Sequence, residues 1–151
     1  MSSIPFYAKR FVSGVNYQEA FTVVKDLNSR GICVTLDVLG ENIKDKSAAI
    51  KFTDEYLVLL KEIASNNLNC YVSVKLTMLG LDIDPAFCDE NFTKILTAAD
   101  SHNIRVAMDM EGSNYTERTI EMYEKVAERL RELAFLNPDI IMTLEDEREG
   151  G

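Results

Sequence analysis

The chain has 151 residues, 46% of them hydrophobic, and a formal net charge of −9 at pH 7. Its length suits a single domain with a sizeable core. The negative charge repels phosphate backbones, so we expect no nucleic-acid partner. No run of 18 apolar residues is present, so we expect no membrane span. The first ten residues lack the apolar stretch of a secretory signal, which favours a cytoplasmic location.

Strand-like and helical segments alternate along the chain. The strand-like segments lie at 8–14, 32–39, 69–80, 104–110 and 139–144. The helical segments lie at 17–29, about 46–65, 85–101 and about 115–136. Gly31 is the expected end of the first helix, Asp45 or Ser47 is the expected start of the second, and Asp84 followed by Pro85 is a strong start for the third.

This strict alternation predicts an α/β fold with a parallel sheet and helical crossovers. Two architectures fit the order of the elements. One is a parallel (βα)4–5 half of a TIM-type barrel, and the other is an open five-stranded, flavodoxin-like doubly wound sheet. In both architectures the chemistry collects at the carboxyl ends of the strands.

The three cysteines and the single histidine argue against a metal site. Cys33, Cys70 and Cys88 lack any C-x-x-C spacing, and His102 is the only histidine in the sequence. We therefore predict no bound metal. Cys33 and Cys70 fall at the starts of strands, where we expect thiols packed in the core.

Three of the strand-like segments carry a charged residue near the carboxyl end. These residues are Asp37, Lys75 and Asp109, which are 38 and 34 residues apart, and Glu41 follows the first of them. A lysine in an apolar strand must be exposed, paired or functional. A cation flanked by carboxylates can hold a charged substrate, hydrogen-bond a flavin or polarise a carbonyl. The same spacing also fits a ring of salt bridges that only keeps the strands in register.

The segments around these charges resemble proline dehydrogenase of the bacterial monofunctional type. The matching segments, in the same order and spacing, are AKRFVSG at 8–14, VTLDVLGE at 34–41, SVKLT at 73–77 and DME at 109–111. The resemblance covers about residues 8–126. It implies a distorted (βα)8 barrel that binds FAD. The implied reaction is the oxidation of L-proline to pyrroline-5-carboxylate in proline catabolism, with a quinone as electron acceptor.

The resemblance also implies roles for particular residues. The implied catalytic residues are Lys75, Glu41 and Asp37, and the implied cofactor-binding residues are Lys75, Asp109 and Met110. Lys75 matches the lysine beside the flavin and the substrate, and Asp109 with Met110 matches a pair that lines the flavin site. Glu41 matches the glutamate that pairs with a substrate-clamping arginine, and Asp37 lies at the neighbouring strand end.

The sequence also departs from the family pattern. The family barrel has eight strands, whereas at most five are predicted here. Thr143 stands where the family has a flavin-contacting glutamine, and the paired arginines that grip the proline carboxylate have no counterpart. Arg129 and Arg131 are two residues apart and so diverge on a helix. Within a single domain, 1–151, we therefore expect a proline dehydrogenase-like half-barrel at 1–127 and a divergent segment at 128–151.

These departures predict a flavoprotein fragment that is inactive alone, although enzymatic by ancestry. The alternative is a non-catalytic or engineered α/β structural module. Half a barrel leaves two strand edges unpaired, so we expect a homo-oligomer or a complementary half-barrel as partner. If the protein is active, its ligand is L-proline or an analogue.

Overall fold

The computed structural model of the protein describes residues 17–40 and 43–133, with side chains described up to residue 129. The helices of this part are α1 (Tyr17–Ser29), α2 (Lys46–Ser65), α3 (Pro85–Ser101) and α4 (Thr116–Leu133). The strands are β1 (Val34–Asp37), β2 (Cys70–Val74) and β3 (Val106–Met108), and a short 3-10 helix spans Leu76–Leu79. The strands predicted at 8–14 and 139–144 lie outside the described residues. Among the described helices, none has the length and apolar character needed to cross a membrane.

The three strands form a parallel sheet in the order β1-β2-β3. This order confirms the predicted α/β class with a parallel sheet. It contradicts the flavodoxin-like alternative, in which the second predicted strand pairs with the first rather than with the third. In the structure β1 and β2 are the second and third predicted strands, and they pair directly, with Val34 opposite Cys70.

The described helices cover one face of the sheet, and the residues of the other face are less buried on β1 and β2 than on β3, where Ala107 is buried. Alternate strand residues are buried in one core cluster with side chains from all four helices: Leu36, Cys70, Val72, Val74, Val106 and Met108. The residues between them on β1 and β2 are half-buried or exposed: Thr35, Asp37, Tyr71 and Ser73. We call this second side the inner face. Helices on one side of a parallel sheet, with a less covered inner face on the other, are typical of part of a barrel wall.

The first three helices end in the same turn. Gly31, Asn67 and Asn103, spaced 36 residues apart, have positive φ values of 77°, 51° and 54°. In each turn the next residue's N–H donates to a carbonyl five residues back: Ile32 to Leu27, Leu68 to Ile63 and Ile104 to Ala99. These bonds define Schellman motifs. The predicted stop at Gly31 is therefore confirmed, and β1, β2 and β3 each begin three residues after the turn residue.

Two helix starts also follow local sequence signals. The Asp45 carboxylate accepts from the Ala48 N–H at 2.9 Å and caps α2, which selects Asp45 over Ser47. The Asp84 carboxylate caps α3, and Pro85 occupies its first turn as predicted. Both caps satisfy backbone N–H groups that have no partner inside the helix.

The strand predicted at 69–80 is too long. β2 ends at Val74, and the chain then turns into the 3-10 helix Leu76–Leu79, which Gly80 closes with a φ of 102°. Leu76, Met78 and Leu79 are all buried, so the segment does not alternate as a strand must. An unbroken apolar run fits a buried strand and a buried turn equally well.

The cysteines divide between core and surface. Cys70 is buried as predicted, whereas the prediction for Cys33 is wrong, because this residue is exposed. Cys33 lies in the link between the turn at Gly31 and the start of β1. It therefore precedes the part of the strand that the helices cover.

Candidate active site

An ion pair marks the carboxyl edge of the sheet. Lys75 directly follows β2, Asp109 directly follows β3, and the register of Val74 opposite Met108 places the two residues across from each other. The Asp109 N–H donates to the Val74 carbonyl at 3.0 Å, which extends the pairing by one residue. Lys75 Nζ lies 3.2 Å from Asp109 Oδ2, and the two side chains are 33% and 17% exposed. The structure thus brings together two of the residues singled out in the sequence.

Asp37 supplies a second carboxylate next to this pair. It is the last residue of β1 and lies opposite Ser73, two residues before Lys75 on the same face. Although the residue as a whole is exposed, desolvation of its carboxyl group raises its pKa, and the charge of Asp109 acts in the same direction. A hydrogen bond from Tyr56 and the charge of Lys75 oppose this rise.

The carboxylates keep Lys75 charged. Burial acts to lower the pKa of the Lys75 ammonium group. The hydrogen bond and charge of Asp109, with the charges of Asp37 and Glu111, outweigh burial, so the pKa lies above its ordinary value. Lys75 is therefore a cation at neutral pH and cannot act as a base there.

Tyr56 is a site residue that the sequence did not reveal. Its side chain comes from α2, is 0% exposed, and ends between β1 and β2. Its hydroxyl group lies 2.7 Å from the Ser73 carbonyl oxygen and 3.2 Å from Asp37 Oδ1. The only sequence signal is a tyrosine within an apolar helical stripe, where a buried hydroxyl requires a partner.

Glu111 ties together the two loops that follow β2 and β3. One carboxylate oxygen accepts from the Thr77 N–H at 3.0 Å, and the other accepts from the Thr77 hydroxyl. Thr77 lies two residues after Lys75, and Glu111 lies two residues after Asp109. The Thr77–Glu111 contact is therefore a second link alongside the Lys75–Asp109 pair.

Three other residues singled out in the sequence are Met110, Glu41 and Arg129, and each has a different location. Met110 is half-buried beside Asp109, and Glu41 lies outside the described residues. Arg129 lies on α4 and pairs with Asp89 of α3, so the structure gives it a partner away from the strand ends. Across residues 17–40 and 43–133, no group of three or more His, Cys, Asp or Glu residues could hold a metal ion.

Replacing Lys75 with methionine tests the electrostatics of this edge. We expect the Asp37 pKa to rise, because a neighbouring positive charge is lost. We also expect the free energy of unfolding to fall by about 0.5–1 kcal/mol at pH 7, because the pair is partly exposed to solvent. Carboxyl ¹³C NMR titration and urea unfolding measure the two effects.

The matched control for this substitution is Lys51→Met, at an exposed position on α2. Because the folded pKa of Lys75 is raised, its stabilising contribution is present below about pH 10, the unfolded value, and is lost as the pH rises through the folded value. Identical stability curves for the two variants between pH 5 and 11 would show that the ion pair contributes nothing.

The sequence of this chain is similar to those of proteins with known names. The sequence model of a family described as Proline dehydrogenase matches residues 20–144. Proline dehydrogenase 2 of Bacillus subtilis (strain 168) is 37% identical over 117 residues, which cover 78% of this chain and 39% of the relative. Proline dehydrogenase 1 of the same strain is 32% identical over 126 residues, which cover 83% of this chain and 42% of the relative. The chain thus spans about two fifths of the length of these relatives.

A solved structure shares the fold. It is described as proline utilization A (PutA) from Bdellovibrio bacteriovorus inactivated by N-propargylglycine. The TM-score is 0.75 at 21% sequence identity, and the match covers 85% of this chain and 16% of that chain. At this identity the likeness concerns the fold alone. It confirms the prediction of a partial TIM-type barrel.

Proposed function

The chain belongs to the proline dehydrogenase family, and on that premise we propose that the carboxyl edge of its sheet forms one side of a site that oxidises L-proline to pyrroline-5-carboxylate. The observation that carries this proposal is the Lys75–Asp109 pair, 3.2 Å apart at the ends of adjacent parallel strands. Barrel enzymes of this architecture place their chemistry at that edge. A structural salt bridge needs no second carboxylate, yet Asp37 also lies close enough to interact with Lys75.

We propose FAD as the cofactor of this site, where it would accept the electrons that leave proline. The donor set fits such a group on one side. Lys75 is charged and one-third exposed, so its ammonium group can donate a hydrogen bond to an oxygen or nitrogen at the edge of the flavin ring. Asp109 orients that ammonium group, and Met110, half-buried beside Asp109, offers a polarisable surface to a planar ring.

We propose catalytic roles for Lys75, Asp37 and Glu41. Lys75 would face the substrate as well as the flavin, and its positive charge suits the proline carboxylate. Asp37 would accept a hydrogen bond from a positively charged group in the site. The role of Glu41, as partner of an arginine that clamps the substrate, stays a prediction from the family resemblance.

The proposal extends to the organisation of the chain. We take 1–127 as the part that carries the half-barrel and 128–151 as a diverged segment of the same domain. The inner face is half-buried or exposed along β1 and β2 in the described part, so we propose that it is covered by a complementary half-barrel or by a second copy of the chain. The cytoplasmic location expected from the sequence stays a prediction.

Flavin binding and turnover test the proposed function together. We expect the 151-residue chain to bind FAD weakly, with loss on dialysis, and Lys75→Ala to weaken binding further, whereas Lys51→Ala leaves it unchanged. We expect no proline-dependent dye reduction, because clamping the proline carboxylate in position supplies much of the rate. Fluorescence titration and a dye-reduction assay with added FAD measure these results.

The outcomes separate the two readings of the protein. FAD binding that Lys75→Ala does not affect, or no binding at all, would favour the non-catalytic structural module. Dye reduction that requires Lys75 would overturn the expected inactivity and would imply that copies of the chain combine to complete the site. Light scattering on the same sample would then detect the assembly.

A further inference from the structure

The buried Tyr56 hydroxyl lies where the carboxyl ends of β1 and β2 meet. Besides its contacts with the Ser73 carbonyl and Asp37 Oδ1, it is positioned 3.5 Å from the Val38 backbone N–H, which can donate to it. One hydroxyl thus links α2 to the two strands that carry Asp37 and Lys75. A core tyrosine needs one hydrogen-bond partner to be satisfied, and this one has three polar neighbours, one of which is a carboxylate of the proposed site.

We propose that Tyr56 is a positioning residue that holds the Asp37 carboxylate in the orientation that faces Lys75. The alternation along β1 places Asp37 on the inner face, but Asp37 ends the strand and is exposed, so the only local restraint on its side-chain rotamer that the described residues show is a hydrogen bond from the adjacent Val38 N–H. Tyr56, which approaches from α2 on the face of the sheet that the helices cover, restricts the rotamer of Asp37 through its hydroxyl group. Its own side chain is 0% exposed and packed in the core cluster, so its hydroxyl has little freedom to move.

The consequence for the site is a lysine flanked by two oriented carboxylates. Asp109 approaches Lys75 from β3 at 3.2 Å, and Asp37 acts on it from β1 through its charge. The titratable and charged groups that face Asp37 are Tyr56 from α2, Lys75 after β2 and Asp109 after β3. Of these, Tyr56 is the group whose hydroxyl lies within hydrogen-bond distance of the Asp37 carboxylate. Its single proton is shared between the Ser73 carbonyl at 2.7 Å and Asp37 Oδ1 at 3.2 Å, and donation to Asp37 favours the ionised form.

This inference deepens the proposed function and rests on it only for the catalytic meaning of Asp37. The positioning itself is measurable without flavin or proline. If the chain fails to bind FAD, the NMR measurement of the Asp37 pKa still decides whether Tyr56 positions Asp37. If Tyr56 does not position Asp37, the FAD titration still decides the proposed function.

Carboxyl ¹³C NMR on the full chain tests the positioning. We expect Tyr56→Phe to raise the Asp37 pKa by about 0.5–1 pH unit, because the ionised form loses a hydrogen-bond donor while the ring still fills its space. Tyr123→Phe, at a half-buried tyrosine of α4, is the matched control and should leave the Asp37 pKa unchanged. A purely structural role predicts lower stability in Tyr56→Phe with an unchanged Asp37 pKa, and that result would overturn the proposal.

A double-substitution series shows whether Tyr56 acts through Asp37. Asp37→Asn and Tyr56→Phe should each lower the Lys75 pKa, and the double variant should match Asp37→Asn alone. A further fall in the double variant would mean that Tyr56 acts on Lys75 by another route, and would contradict the proposal.

A second measurement keeps the proposal testable if Tyr56→Phe does not fold. In Asp37→Asn the Tyr56 ring stays in place, but its hydroxyl loses a charged acceptor. We expect the ¹³Cζ resonance of Tyr56 to shift in this variant, while that of Tyr123 does not. An unchanged Tyr56 resonance would show that the hydroxyl does not bind Asp37.

Discussion

Replacing Asp89 with asparagine should lower the free energy of unfolding by about 2–3 kcal/mol at pH 7, because it removes the charged acceptor of a partly buried ion network. The Asp89 side chain is 9% exposed on α3 and accepts from Arg129 of α4 at 2.8 and 3.1 Å. Lys125 of α4 lies 2.9 Å from the same carboxylate. Asparagine keeps the shape of the side chain but turns an amide NH₂ group toward two cations.

The pH dependence of this contribution follows from the Asp89 pKa. Burial acts to raise that pKa, but the hydrogen bonds and charges of Arg129 and Lys125 outweigh burial and hold it below its ordinary value. A carboxyl group with a depressed folded pKa stabilises the protein above its unfolded pKa, about 3.9, and the contribution is lost as the pH falls through the folded value. The stability difference between wild type and variant should therefore shrink below about pH 4.

The matched control for this prediction is Asp82→Asn. Asp82 also binds an arginine of α4, Arg118 at 2.9 Å, but its side chain is 44% exposed. Exposed ion pairs are typically worth about 0–1 kcal/mol, so this variant should lose less than about 1 kcal/mol. Urea unfolding at pH 7 and at pH 3 measures both variants. Equal losses at pH 7 would show that burial of Asp89 adds nothing to the strength of its ion pairs.

Replacing Gly80 with alanine should lower the free energy of unfolding by about 2–4 kcal/mol, since two costs combine. Gly80 is buried with a φ of 102°, a backbone conformation that costs a residue with a Cβ roughly 1–2 kcal/mol. An added Cβ would also lie 2.9 Å from Phe87 Cδ1, so the ring must shift. Gly80 closes the 3-10 helix that begins right after Lys75, so the shift should reach the candidate site.

Gly112→Ala is the control for this substitution, because nothing lies within 4 Å of a Cβ added there. We expect it to change stability by no more than about 0.5 kcal/mol. Urea unfolding compares the two variants, and the Lys75 ¹⁵Nζ resonance reports on the site. Equal stabilities for the two variants would mean that the turn at Gly80 relaxes without cost.

The sequence predicted those features of the fold that depend on local signals. The cap at Asp84 and the stop at Gly31 each depend on a few neighbouring residues, so single-sequence patterns were sufficient, whereas the same patterns left the start of the second helix open between Asp45 and Ser47. The proximity of Lys75 to Asp109 was also predictable. Each residue stands near the carboxyl end of its strand, and parallel strands bring their carboxyl ends to the same edge of the sheet. Features that depend on the packing of distant elements were not predictable in this way.

Tyr56 and Asp89 show where the sequence was insufficient. Tyr56 falls on the apolar stripe of α2, where a tyrosine that serves only the core has the same spacing. Asp89 meets Arg129 across 40 residues, and a dense run of charges such as that of α4 is typical of a helix face exposed to solvent. In both cases the contact depends on how two elements pack, and no pattern within either element encodes it. The 3-10 helix after Lys75 was missed because its apolar residues also suit a strand.

The repeated turns at Gly31, Asn67 and Asn103 have a consequence for the kinetics of folding. Because the turns recur every 36 residues, neighbouring strands pair at similar sequence separations, 36 residues between β1 and β2 and 34 residues between β2 and β3. Each strand–helix unit thus closes a loop of similar length and similar entropy. No pairing between the described strands must wait for a much longer closure, so we expect none of the slow, very long-range closures that are typical of β-sandwiches. Folding can then begin at either strand pair and proceed by adding the neighbouring unit.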